Sequence, residues 1–266
     1  LVARQKQTLK VDLEARYLYG APGAELDVSG EVTIRAVEDG AVQGMPGYEA
    51  GLEDEEFETV KNDIEDAPKT DARGKAVIEI EIPEVKAPRP IEAKILLRVA
   101  EAGGRAVERT LIVPILPDAG MIAVKKNFEN LDEGSVATFD VVALAPGGGR
   151  VARRDLQWTL YRVTNNYQWY NSDGRWGFER VKSSRRVADG RVDVSAADPG
   201  KISASVGWGA HRLEIKSGND ADQPTSITFD VGWSGDATAE TPDLLQVTLD
   251  KQNYRAGEEM RVQIAS

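Results

Sequence analysis

The sequence predicts an all-β fold, built as tandem antiparallel β-sandwiches. Three observations carry that expectation. Short runs alternate apolar and polar residues with a period of two, and clusters of Gly, Pro and Asn punctuate them. No stretch of ten or more residues repeats its apolar positions at the 3.6-residue period of a helix. One pattern of strand, glycine-rich turn and strand also recurs along the chain, so the fold is a repeat.

The fullest copy covers residues 135–163. Ala137, Phe139, Val141 and Ala143 fall on one face of a strand and Asp140 on the other. Pro146, Gly147, Gly148 and Gly149 turn the chain, and Leu156, Trp158 and Leu160 resume the alternation. Residues 9–34 follow the same plan, with Leu9, Val11, Leu13 and Ala15 on one face, a turn at residues 20–23, and Val32 and Ile34 beyond it. Residues 258–265 supply the first strand of a third copy.

Taken in order, the first unit continues with an acidic insert over residues 38–71, read as loops around at most one short strand near residues 57–60. Arg73 and Gly74 turn into a half-buried strand with Ala76, Ile78, Ile80 and Ile82 inward. After a proline-rich link, residues 91–100 face Ile91, Ala93, Ile95, Leu97 and Val99 inward. A turn at Gly103 and Gly104 closes a hairpin onto residues 106–115, which Pro114 and Pro117 end. In the second unit, strands are expected over residues 190–194, 201–206, 211–215 and 226–231, with the Gly190-led strand matching the Gly74-led one. Residues 235–242 form a linker, and residues 252–258 repeat residues 126–134 about 125 positions later. The predicted organisation is a sandwich over residues 1–117 that lacks its N-terminal part, a second over 118–240, and the first strands of a third over 241–266. Both ends fall at strand patterns, so the chain is expected to be a piece of a longer protein.

Composition excludes several classes of function. With 44 acidic and 33 basic residues, the formal net charge of −11 disfavours nucleic acid and anionic membrane as partners. Cysteine is absent, which removes disulfides, thiolate zinc sites and cysteine nucleophiles from these 266 residues without fixing the compartment. No apolar run approaches the roughly 20 residues of a membrane-spanning helix.

Candidate sites follow from chemistry. His211 is the only histidine; it alternates with Leu213 and Ile215 and reads as a structural or surface residue. No Gly-x-Ser-x-Gly elbow accompanies it, so nothing points to a hydrolase. The acidic runs at residues 53–56 and 63–66 lack EF-hand spacing and read as solvated loops. Paired carboxylates for glycoside hydrolysis find no support in any spacing. Gly147 to Gly149, with Arg150, Arg153 and Arg154 beyond, lead into a strand and lack a P-loop lysine, so they form a turn. The aromatic group Tyr167, Trp169, Tyr170, Trp176 and Phe178, with Arg175 and Arg180 beside it, is the candidate interface; its turn is Ser172, Asp173 and Gly174. The competing reading packs those rings on their own sandwich or on the next domain. No catalytic, cofactor-binding or metal-binding residue is assigned.

Three elements together resemble the macroglobulin-like domains of bacterial α2-macroglobulins. These are residues 14–22 (EARYLYGAP), the aromatic insert with residues 206–214 (VGWGAHRLE), and residues 249–258 (LDKQNYRAGE). The resemblance covers essentially the whole chain. It implies seven-stranded, fibronectin-type-III-like sandwiches in a large periplasmic protein that is lipid-anchored to the inner membrane. Such a protein traps peptidases after they cleave a bait segment, and many members attach the peptidase through a Cys–Gln thioester. This chain has no Cys to supply a thioester and no long bait candidate, so the resemblance implies a non-enzymatic scaffold segment. Its partners would be peptidases, held by the whole protein, and neighbouring domains, with membrane contact only through an anchor outside these residues. The rival readings are a surface adhesion or carbohydrate-binding array and an accessory module of a secreted enzyme.

Overall fold

The structure is a computed structural model that describes residues 2–64, 67–101, 104–172, 175–218, 222–232, 246–249, 251, 253–260 and 262–265. Among the described residues the secondary structure is all strand apart from a 3-10 turn at Glu38–Gly40. It divides into two compact units, residues 1–121 with 144–150, and residues 122–143 with 151–266.

The first unit holds β1 (Ala3–Arg4), β2 (Gln7–Glu14), β3 (Asp27–Ala36), β4 (Tyr48–Ala50), β5 (Val60–Asp63), β6 (Lys75–Ile82), β7 (Ile91–Ala100) and β8 (Val107–Leu116). One sheet has the order β1-β8-β7-β3-β5; the other is the antiparallel pair β2-β6. Strict alternation in β6 puts Ala76, Ile78, Ile80 and Ile82 on a single face. They meet Leu9 and Val11 of their own sheet and Val32, Ile34, Ile95 and Val113 of the facing one in a single core. Burying side chains of this size contributes about 1.5–3 kcal/mol each, which is what holds two thin sheets face to face.

The second unit follows the same plan. Its strands are β9 (Gly120–Lys126), β10 (Val136–Leu144), β11 (Arg150–Val151), β12 (Arg153–Ser172), β13 (Arg175–Val194), β14 (Gly200–Ser205), β15 (Gly209–Lys216), β16 (Asp222–Gln223) and β17 (Thr225–Val231). One sheet runs β11-β10-β9-β16 with β14 also on β10, and the other runs β13-β12-β15-β17. Phe139, Leu160, Leu213, Ile215 and Phe229 are central to its core. Phe128, Phe139 and Phe229 meet there at centroid distances of 5.2–5.4 Å. Beyond it, β18 (Gln246–Leu249) pairs antiparallel with β19 (Val262–Ala265). The predicted linker over residues 235–242 lies outside the described residues, as do Leu244 and Gln252.

Several expectations need correcting. The acidic insert contains two short strands, because Tyr48 and Ala50 are buried on alternate positions of β4, too short a run to show as a period. Its Glu65 and Asp66 lie outside the described residues. Pro114 does not end the hairpin but lies within β8 opposite Glu92. The strand there is near the sheet edge, where a residue without an N–H is tolerated. Gly103 of the preceding turn lies outside the described residues, while Gly104 N–H donates to the Glu101 carbonyl. The counterpart of Gly74-led β6 is β14, led by Gly200: β6 pairs with β2 as β14 pairs with β10. Gly190 instead lies inside β13, opposite Trp158.

Candidate functional site

The aromatic group stands on a long two-stranded ribbon. β12 and β13 pair from Arg153 opposite Val194 out to Ser172 opposite Arg175. β12 has a second neighbour, β15, only from Gln157 to Arg162. From Val163 onward the two strands have only each other among the described residues, over about 30 Å at the usual rise of a strand. Two register slips interrupt the β12–β13 pairing, one at its base between Arg153 and Leu156 and one between Leu160 and Tyr161, close to where the ribbon leaves the sheet. Bulges of this kind bend and twist a strand. The first is fastened by Asp155, whose N–H donates to the Asp193 carboxylate and whose own carboxylate receives Arg191 Nη1, each at 2.8 Å.

Trp169 faces Phe178 directly across the ribbon, edge to face, with centroids 5.7 Å apart. Trp176, opposite Asn171, shares their face, since cross-strand partners point the same way. Tyr170 is on the other face, opposite Gly177, where an added Cβ would stand 2.9 Å from the phenol ring. Trp176 is 71% exposed and Trp169 53%. None of these four rings belongs to the core of the second unit. Trp169 and Phe178 pack on each other and Tyr170 against Gly177, on the ribbon itself. Tyr167 pairs with Arg180 through the backbone; both side chains lie outside the described residues, as do Asp173 and Gly174 of the predicted turn. Arg175, Lys182, Arg185 and Arg186 are exposed along β13. An exposed face of this composition can take up a partner by aromatic burial and basic contacts.

His211 is buried on the face of Leu213 and Ile215, 1% exposed. Its Nδ1 is 2.8 Å from the Gly209 carbonyl, its ring stacks on Phe229, and Nε2 has no protein partner. Burial holds its pKa below 6.5. Among the described residues no group of three or more His, Asp or Glu side chains could hold a metal. The Gly147–Gly149 stretch forms a turn, with Ala145 N–H donating to the Gly149 carbonyl and Gly148 N–H to that of Ala145. The 14–22 element closes a small loop: Tyr17 N–H donates to the Ala21 carbonyl and Tyr17 stacks on Tyr19.

Two features escaped the sequence reading. Arg153 grips the buried Asp222 through two bonds, Nε to Oδ2 at 2.6 Å and Nη2 to Oδ1 at 2.9 Å, across a separation in sequence that no local pattern encodes. The ribbon's continuity was signalled by Thr159, Tyr161, Val163, Thr164, Tyr167, Trp169 and Tyr170 before the turn and by Trp176, Phe178, Val181 and Val187 after it, all strand-favouring residues.

Comparison with known proteins adds the family. Residues 2–117 match the bacterial alpha-2-macroglobulin MG5 domain, and residues 123–233 match bacterial macroglobulin domain 6. An alpha-2-macroglobulin of Xylella fastidiosa (strain 9a5c) is 30% identical over 276 residues, covering 99% of this chain and 16% of the relative. The native conformation of E. coli alpha-2-macroglobulin superposes with a TM-score of 0.66 at 27% identity, over 100% of this chain and 18% of that one. E. coli alpha-2-macroglobulin activated by porcine elastase gives 0.62 at 27% identity, over 94% and 22%. This chain thus spans less than a fifth of the curated relative, with two macroglobulin domains matched in consecutive order, and it belongs to the bacterial alpha-2-macroglobulin family.

Proposed function

We propose that the chain is a non-catalytic scaffold segment of a bacterial alpha-2-macroglobulin, a periplasmic, inner-membrane-anchored protein that traps peptidases once they cut a bait segment. The observation that carries this is the tandem match to macroglobulin domains 5 and 6, in a chain similar to both a native and an elastase-activated relative. Each unit has its own core, as a body that moves whole during a rearrangement must. The chain contains no cysteine, so any thioester chemistry belongs to other parts of the protein. The segment's partners are neighbouring domains, and peptidases only through the whole protein.

The test is brief peptidase treatment of the full-length protein, followed by a cleavage map and a measurement of compaction. Cuts clustered beyond Ser266, with these residues intact and the peptidase retained, are expected. Cuts scattered through residues 235–242, without compaction or retained peptidase, would leave the carbohydrate-binding array in front. That second reading draws on the exposed Trp169 and Trp176 and would require glycan binding that Trp→Ala changes abolish.

A further inference from the structure

The ribbon's charge runs against that of the chain. Residues 163–187 include five basic and two acidic residues, in a chain whose formal net charge is −11. The register sorts the described ones by face. Trp169 stands opposite Phe178, Trp176 opposite Asn171, Lys182 opposite Asn165 and Arg186 opposite Tyr161, all at alternate positions and therefore on one face. Glu179, opposite Gln168, belongs to the other face with Tyr170. Along residues 163–186 the ring-bearing face thus holds no acid among the described residues. Its three rings are exposed, and so are Lys182 and Arg186. Arg186, 3.7 Å from Asp189 where the ribbon leaves the sheet, is the innermost of its cations.

The net charge of the chain speaks against an anionic partner, but charge acts over a limited range. At physiological ionic strength, interactions between exposed charges fade over about 8 Å. The ribbon continues for about 30 Å past the last residue of β12 that pairs with β15, several such lengths. Its outer half therefore feels the charge of its own sandwich only weakly.

Size then chooses among anionic partners. One face of a two-stranded ribbon of this length, about 10 Å wide with its side chains, offers roughly 300 Å² in outline. A stable protein interface takes about 800 Å² from each partner. A bilayer sets no such threshold, because its headgroup region closes around whatever enters it. Aromatic rings settle at headgroup level, and each Lys or Arg held near an anionic leaflet strengthens binding about fivefold.

We propose that the outer ribbon is a membrane-interface site for an anionic phospholipid bilayer. Trp169, Trp176 and Phe178 enter between the headgroups, and Lys182 and Arg186 lie over the phosphates. The inference draws on the ribbon alone and is independent of peptidase trapping.

The test is hydrogen exchange of the full-length protein on vesicles of equimolar phosphatidylcholine and phosphatidylglycerol, against vesicles of phosphatidylcholine alone. Any tether elsewhere in the protein is common to both. Amides of residues 163–187 are expected to slow roughly fivefold or more on the anionic vesicles only, and high salt is expected to reverse the effect. Trp169→Ala with Trp176→Ala, changes outside the core of the second unit, is expected to abolish the slowing while β10 exchanges as in the parent. No slowing, equal slowing on both vesicles, slowing that survives the double change, or the same slowing by heparin, a polyanion without hydrocarbon, overturns the proposal. Ribbon exchange that is already slow without vesicles also overturns it, since another domain would then cover the rings.

Discussion

His211 lies nearly flat against Phe229, ring centroids 5.5 Å apart and planes 19° from parallel, in a register that sets the two residues opposite each other on β15 and β17. The imidazole is therefore part of the apolar core, and protonating it is costly. Arg162, opposite it on β12, opposes the charge further, while the Gly209 carbonyl and Asp230 favour it less than burial disfavours it.

The sign of the pH effect follows. The folded-state pKa is depressed below 6.5, so above that value both states hold a neutral ring and stability is unaffected. As pH falls below 6.5 the unfolded chain takes up a proton that the folded one resists, and stability drops until the folded pKa is reached. The limit is about 1.4 kcal/mol per pH unit for one group. Thermal unfolding at pH 7.5, 6.5 and 5.5 is expected to show this decline for the second unit. His211→Phe, which keeps a ring against Phe229, is expected to flatten it. A variant declining as steeply as the parent would show that other groups carry the effect.

Arg153 and Asp222 give a second prediction. The Asp222 side chain is fully buried and Arg153 is about two-thirds buried, so removing the guanidinium strands a carboxylate away from water. Arg153→Met is expected to cost about 3 kcal/mol, toward the low end for breaking a buried pair because Arg153 keeps some solvent. The double change Arg153→Met with Asp222→Leu is expected to recover much of that loss, since no unpaired charge remains. Urea unfolding midpoints of the two variants decide the matter; equal losses would mean that the pair is not coupled.

How far the sequence was legible depends on the range of the signal. β6 was readable because its alternation is local and unbroken, and the core faces of β10 and β7 for the same reason. The repeat was readable too: residues 252–258 echo residues 126–134, and Gly134 and Gly257 both take positive φ before their strands. What stayed hidden was pairing at a distance. Nothing local says that β6 pairs with β2 and not with β3, so Gly190 was matched to Gly74 where Gly200 belongs. The aromatic candidates were found, but their exposure was not, because the ribbon's departure from the sheet depends on where β15 stops pairing with β12.

The ribbon's separation from the core yields a third prediction. Trp169→Ala removes a cross-strand pair with Phe178 that is worth about 0.2–1 kcal/mol, and Trp176→Ala removes a ring that lies largely in solvent. Both are expected to shift the unfolding of the second unit by less than about 1 kcal/mol. Phe139→Ala, from the centre of the aromatic cluster, is expected to cost about 3–5 kcal/mol. A loss at Trp169 comparable with that at Phe139 would place the ribbon in the folding core and argue against an interface role.

Two glycines separate backbone strain from steric exclusion. Gly74 and Gly134 both adopt positive φ, 75° and 83°, where an L side chain costs about 1–2 kcal/mol. Their surroundings differ. A Cβ on Gly74 would stand 2.3 Å from the Ala15 carbonyl oxygen, whereas one on Gly134 meets nothing within 4 Å. The Gly74 turn cannot yield easily, because the Asp71 carboxylate accepts the N–H groups of both Arg73 and Lys75, and Ala15 N–H donates to the Gly74 carbonyl. Those same N–H groups hold the Asp71 carboxyl below its ordinary pKa. Gly134→Ala is therefore expected to cost only the conformational strain, about 1 kcal/mol. Gly74→Ala is expected to cost clearly more, with the loss confined to the first unit in hydrogen exchange. Equal costs at the two positions would mean that the first unit relaxes around the new methyl group, which a carbonyl fixed on both sides opposes.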